Sequence, residues 1–229
     1  MLTQTMINRG TSHQPAPRVR PVSPVSSHSL TGQIEMMGAA MPFGRNAEIY
    51  GENERADYLY KVISGSVRTY KVLNDGRRQI GAFYLPGDLF GLEVGSEHSF
   101  SAEAVTDCKV LVIKRSALVT LAAHDNEVAH RLWTMTANEL QRAQDHIMLL
   151  IKTAQERVAG FLLEMSSRSS AGNEVDLPMS RQDIADYLGL TIETVSRTLT
   201  QLENSAAISV PSSRRIVLRN RTALSRLNS

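Results

Sequence analysis

LPMSRQDIADYLGLTIETVSRTLTQLENSAAI, residues Leu177 to Ile208, carries two short helical stripes separated by a glycine. Ser180 is placed to cap the first helix, with Asp183 three residues on as an acidic variant of the capping box. Ile184, Ala185 and Leu188 recur at helical spacing and form its inner face. Gly189 ends it, because a tight turn needs a conformation that glycine adopts without steric cost. Leu190 fills the angle between the helices, and Thr191 caps the second. There the expected buried stripe is Ile192, Val195, Leu199 and Leu202. The opposite face holds Glu193, Ser196, Arg197 and Thr200 at steps of three and four, so these side chains converge. Such a helix fits a DNA major groove. Arg197 can donate two hydrogen bonds to a guanine, Glu193 can accept from a cytosine amino group, and Ser196 can address a neighbouring base edge. The competing interpretation, an exposed Glu193–Arg197 salt bridge, is worth only about 0.2–0.5 kcal/mol and leaves the surrounding frame unexplained.

Downstream, Ala207 to Val210 and Ile216 to Arg219 are expected strands joined through Pro211-Ser212-Ser213-Arg214, a β-hairpin wing. From Ser205 to the C-terminus there are five arginines and no acid, although the net charge of the chain is only +2. Basic charge gathered at one end suits a surface that meets phosphates. The expected backbone contacts are Ser180, Arg181, Thr191, Thr194, Thr200, Arg214 and Arg215; such contacts fix register without reading sequence.

Upstream, Ala154 to Ser167 is an expected helix with Val158, Phe161, Leu162 and Met165 on one face. Before it, residues from about Asn126 to Arg157 hold no Gly or Pro. Trp133, Thr136, Leu140, Ala143, Ile147 and Leu150 alternate steps of three and four, the seam of a coiled coil. Thirty residues would span roughly 45 Å, long for a helix packed within one small domain. The seam therefore predicts a homodimer.

Between Ala47 and Ile113 the pattern is β: short runs rich in Val, Ile, Tyr and Phe (58–63, 66–73, 79–85, 102–106 and 110–113) separated by glycines. Asn74-Asp75-Gly76 is a hairpin signal. Many short strands at this spacing predict a roll or jelly roll. The fold class is α+β, with a disordered Pro/Ser-rich tail (1–30), a β-roll (31–124), a dimerisation helix (125–153) and a winged helix-turn-helix (154–229).

Composition narrows the function further. Cys108 is the lone cysteine, read as lying in a turn, so an internal disulfide is excluded and a reducing, cytoplasmic setting is expected. No apolar run is long enough to cross a bilayer. Jelly rolls also house metal enzymes, but these need clustered histidines, and His98, read as an exposed loop residue, is the sole histidine between Ala47 and Ile113. No catalytic, metal or cofactor residues are expected.

YLPGDLFGLE, Tyr84 to Glu93, and SRQDIADYLGLTIETVSR, Ser180 to Arg197, resemble the β-roll glycine motif and the DNA-reading signature of the Crp–Fnr family of bacterial regulators. The likeness spans about residues 32 to 225, and the E-x-x-S-R core looks like that of the Fnr and FixK branches. It implies a cyclic-nucleotide-binding-like roll, TTGAT-like half-sites in a two-fold repeat one helical turn apart, RNA polymerase as partner and, for the FixK-type branch, oxygen- or nitrogen-responsive control. Two departures bear on the effector. Where nucleotide-binding relatives place a ribose-binding glutamate, this sequence has Leu92; where they place arginine and serine on the cyclic phosphate, it has His98 and Ser99. Leucine accepts no hydrogen bond, and a neutral imidazole pairs weakly with phosphate. An iron–sulfur cluster needs about four thiolates, which one cysteine does not supply. The expectation is a regulator with no bound effector; a ligand-gated regulator of the same fold is the alternative.

Overall fold

The computed structural model describes residues 37–168 and 172–228; the tail expected to be disordered, residues 1–30, lies outside them. Eight strands form the roll: β1 (Gly38–Phe43), β2 (Glu48–Tyr50), β3 (Tyr58–Ser64), β4 (Val67–Val72), β5 (Arg78–Tyr84), β6 (Leu89–Phe90), β7 (Ser101–Ala104) and β8 (Cys108–Lys114). They pair antiparallel in two four-stranded sheets, ordered β1-β8-β3-β6 and β2-β7-β4-β5. Tyr50, Tyr60, Val62, Val67, Tyr84, Phe90 and Val110 form one apolar cluster in the roll. Residues one step out of phase, Leu59, Leu111 and Ile113, belong to a second cluster, covered by Leu118 and Val128. Alternate side chains of a strand point to opposite faces. Burial on both faces is why CKVLVIK in β8 is almost continuously apolar.

The Asp75–Gly76 turn closes β4 on β5 as expected, with the Leu73 amide donating to Arg77 O at 2.8 Å. Between β3 and β4, Gly65 holds φ +79°, and a Cβ there would lie 2.4 Å from Asp107 O. Three strands carry little sequence signal: β1, β2 and β6. GAAMPF in β1 contains Pro42, tolerated because β1 is an edge strand.

After the roll come α1 (Arg115–His124), α2 (Asn126–Leu150) and α3 (Ala154–Arg168). The first was not foreseen: no side chain caps it at Lys114, and Leu118 is its one fully buried residue. Asp125 starts α2 by accepting from the Glu127 and Val128 amides. At 25 residues, α2 spans about 37 Å, shorter than the sequence suggested. The chain breaks at 151–153, where Thr153 and Glu156 exchange side-chain-to-amide bonds in a capping box that starts α3.

The C-terminal head comprises β9 (Glu174–Asp176), α4 (Arg181–Leu188), α5 (Ile192–Asn204), β10 (Ile208–Ser212), β11 (Arg215–Leu218) and α6 (Arg221–Leu227). The wing is a three-stranded sheet ordered β10-β11-β9, one strand more than expected. Phe161, Leu162, Ile184, Leu188, Val195, Leu199, Leu202, Ile216 and Leu224 share one core, and Ile80, Phe83 and Val105 of the roll join it. Roll and head are therefore packed together.

Candidate DNA-binding site

The local rules that start and stop α4 and α5 position the reading face. Ser180 Oγ accepts from the Asp183 amide and the Asp183 carboxylate accepts from the Ser180 amide, completing the capping box. Gly189 takes the left-handed conformation, φ 62°, and ends α4. Thr191 caps α5 by accepting from the Thr194 amide. Val195, Thr198, Leu199 and Leu202 are the buried face of α5. Opposite them, Glu193, Arg197 and Thr200 are exposed and Ser196 is half-buried. The predicted base-reading set thus stands on one face of one rigid helix. Among the described residues Arg197 forms no ion pair, so the Glu193–Arg197 salt bridge is not made. The Glu193 carboxyl is held below its usual range by its own backbone amide, the Thr191 hydroxyl and, to a smaller extent, the nearby Arg197 charge, which keeps it a charged acceptor.

Ile192 departs from expectation. It is 37% exposed rather than part of the buried stripe, because the first residue of α5 opens on the cleft between the head and the β4–β5 turn. An apolar group is thereby left beside Glu193.

The expected backbone contacts divide. Thr191 and Thr194 stand together at the start of α5, hydroxyls 3.1 Å apart, where amides and helix dipole favour an anion. Arg181 opens α4. Ser180 Oγ is engaged in its cap, also donating to Asp183 Oδ2 at 2.8 Å, and Thr200 Oγ1 donates to Ser196 O. At the wing tip, Arg214 donates to Pro178 O at 2.7 Å. Arg215 pairs with Asp176 at 3.3 Å while half-exposed, a pair weak enough for a phosphate to compete with.

Along α2, Trp133, Leu140 and Ile147 are 74%, 60% and 63% exposed, and Thr136 and Ala143 are exposed beside them. Leu150 is half-buried instead, close to Gly189 of its own head. Ile151, 74% exposed, extends the apolar stripe past Ile147; its step of four from Ile147 was the signal available in the sequence.

Between the roll and α2 lies a cavity of about 320 Å³ lined by Tyr50, Tyr84, Phe90, Leu92, Glu93, Ser99 and Glu139 among others. The Glu93 carboxylate accepts from Ser99 N at 3.1 Å and Ser99 Oγ at 3.0 Å. Ser99, the donor that resemblance would offer to a cyclic phosphate, is occupied by an internal anion. Glu139 adds a second carboxylate, accepting from Tyr84 Oη at 2.9 Å. A site lined by carboxylates, with Leu92 in the ribose position, does not fit an anionic nucleotide.

Two residues lie elsewhere than the sequence suggested. His98 is buried, 1% exposed, not in an exposed loop; its ring stacks on Tyr50 at 3.6 Å between centroids. Among the described residues neither ring nitrogen has a hydrogen-bond partner, the nearest Glu93 oxygen standing 3.7 Å away. Cys108 begins β8 and packs in the roll core rather than a turn, because Gly65 lets the neighbouring turn lie directly on its Cβ. Burial pushes its thiol pKa up, away from reactivity.

Residues 156–227 match the Crp-like helix-turn-helix domain, and residues 40–125 match the cyclic nucleotide-binding domain. The nitrogen fixation regulation protein FixK of Azorhizobium caulinodans is 55% identical over 86% of this chain and 82% of its own length. This chain belongs to the Crp–Fnr family. Within it the regulator is FixK-like: the FixK of Rhizobium meliloti is 42% identical over 77% of the chain and 81% of its own length. The solved structure of FixK2 from Bradyrhizobium japonicum, 53% identical, superposes with a TM-score of 0.80 over 84% of this chain and 98% of that one. The regulator is thus a DNA-binding transcription regulator of the helix-turn-helix class. No helix among its described residues is long and apolar enough to cross a membrane.

Proposed function

We propose that the regulator acts in the cytoplasm as a homodimeric activator, binding inverted repeats of TTGAT-like half-sites without a small-molecule effector and recruiting RNA polymerase, in oxygen- or nitrogen-responsive gene control. It works by binding and not by catalysis. The observation that carries this is the exposed Glu193, Ser196 and Arg197 face on a helix capped at Thr191. Arg197 addresses the guanine, Glu193 a cytosine amino group, and Ser196 a neighbouring base edge. Exposed Ile192 supplies an apolar contact suited to a thymine methyl. Thr191, Thr194, Arg181 and Arg215 bind phosphates and fix register. The exposed stripe from Trp133 to Ile151 supports pairing of two α2 helices. Names of the FixK relatives support a place in nitrogen fixation control. The Glu93–Ser99 contact supports independence from a nucleotide.

The cavity of about 320 Å³ between roll and α2 favours one second reading, a regulator gated by a non-nucleotide metabolite. Both are tested by binding the purified protein, with no ligand added, to a TTGAT-N4-ATCAA duplex and to a scrambled duplex at one fixed salt concentration. Salt is held because phosphate contacts alone shift affinity by orders of magnitude. Strong preference for the repeat is expected. Equal, weak binding to both removes the effector-free reading, and preference restored by a cell metabolite extract establishes the gated one.

A further inference from the structure

Roll and head are joined by a group of charges that helix capping alone does not require. Asp183 caps α4 with one carboxylate oxygen: Oδ2 accepts from Ser180 N at 2.9 Å and Ser180 Oγ at 2.8 Å. Its other oxygen, Oδ1, accepts from two arginines of the roll, Arg68 at 3.0 Å and Arg78 at 2.6 Å. Arg68 is set in β4 between Phe83 of β5 and Glu103 of β7, and its guanidinium is also held by Glu103 at 2.7 Å. Arg78 donates from Nε to Asp186, one turn further along α4, at 2.8 Å. The side chains of Arg68 and Asp183 are 8% and 5% exposed.

Burying such charges is costly, and apolar residues of similar volume would often be at least as stable. What ionic hydrogen bonds add is direction. The apolar contact beside them, Phe83 against Tyr187 at 5.2 Å, resists separation but tolerates rotation, since apolar burial is non-directional. Two guanidiniums on a rigid sheet, gripping two carboxylates one turn apart on α4, resist rotation. Because α5 shares its core with α4, orienting α4 orients the reading face.

We propose that Asp183 and Asp186, gripped by Arg68 and Arg78, form a positioning clasp that holds each reading helix at one angle to its roll with no ligand bound. The inference rests on the reading that the α5 face engages an inverted repeat. In a dimer joined along α2, the clasp would fix the separation of the two reading helices and so the spacing of half-sites the protein accepts.

The test uses Asp183→Asn, which keeps an acceptor for the α4 cap, and Arg78→Gln, which alters a partly exposed side chain and decides the matter where the first fails to fold. Spin labels at Lys109→Cys in the roll and Gln201→Cys on α5, in a Cys108→Ala background, report the roll-to-head distance without DNA. Labelled protomers are diluted with unlabelled ones. Wild type is expected to give one narrow distance and the variants a broad distribution. With DNA, wild type should prefer a four-base-pair spacer over spacers one base pair longer or shorter by about tenfold, and the variants by less than about twofold. A broad distance in wild type, a narrow one in the variants, or a spacer preference that survives while Tm falls would overturn the clasp. If wild type does not select the repeat at all, the base-reading proposal fails, and the DNA-free distances still decide the clasp.

Discussion

Arg197 and Glu193 show how little separates a base-reading pair from a surface ion pair. Both lie on the exposed face of α5, yet Arg197 makes no close ion pair among the described residues. Arg197→Ala is expected to lose roughly 1–3 kcal/mol of discrimination at the guanine of each half-site, measured as relative affinity for a duplex series substituted at that base. Unchanged base preference would remove Arg197 from the reading set. His98 poses a different problem, since burial lowers its pKa despite Glu93 nearby. A histidine held neutral in the fold contributes no penalty above its unfolded value of 6.5. As pH falls below that value, the unfolded chain binds a proton that the folded chain refuses, so stability declines. His98→Phe should flatten part of that decline, because it removes an imidazole whose protonation burial opposes. Tm scans on either side of pH 6.5 check this; His146, whose pKa burial also lowers, keeps its own share of the acid sensitivity.

At the scale of elements, α2 works through two faces. One packs inward through Val128 and Leu149, and the other leaves Trp133, Leu140, Ile147 and Ile151 in water. An apolar stripe of this length is stable on a helix only if something covers it. Replacing Leu140 and Ile147 together with Glu should give a folded monomer in sedimentation, with specific DNA binding lost, whereas an intact dimer would place the seam elsewhere. The heptad steps made this stripe legible in the sequence. Its end was not, because the turn from Leu150 inward to Ile151 outward depends on where the Thr153–Glu156 box restarts the chain as α3.

For the whole molecule, the junction of roll and head dominates. The core is continuous from Phe83 through Phe161 and Tyr187 into α5, and the charged clasp lies at its edge. Burial alone would raise the Asp183 carboxyl, but the Ser180 amide and hydroxyl and then Arg68 and Arg78 outweigh it, leaving the pKa below the ordinary 3.8. A depressed carboxyl contributes stability in full above its unfolded pKa and loses it as pH falls through the folded value. Acid unfolding followed below pH 3.8 should therefore show a steeper loss in wild type than in Asp183→Asn. Equal slopes would mean that the pair contributes nothing to docking.

Elements governed by local rules could be read directly from the residues. Ser180 with Asp183, Gly189 and Thr191 mark where α4 and α5 begin and end, because capping groups and left-handed turns involve neighbours only a few residues apart. The glycine-bounded apolar runs of β3, β4, β5 and β8 and the heptad of α2 were legible for the same reason. Elements held by distant partners were not: β1 depends on pairing with β8, and α1 on packing over Leu111 and Ile113. Long-range packing, in contrast, makes His98 and Cys108 core residues, turns Ile192 outward and sets Glu93 on the donors of Ser99. Asp183 spans both levels. Its role as a cap is written three residues from Ser180, while its grip on Arg68 joins residues 115 positions apart, a proximity that only the folding of the head onto the roll creates.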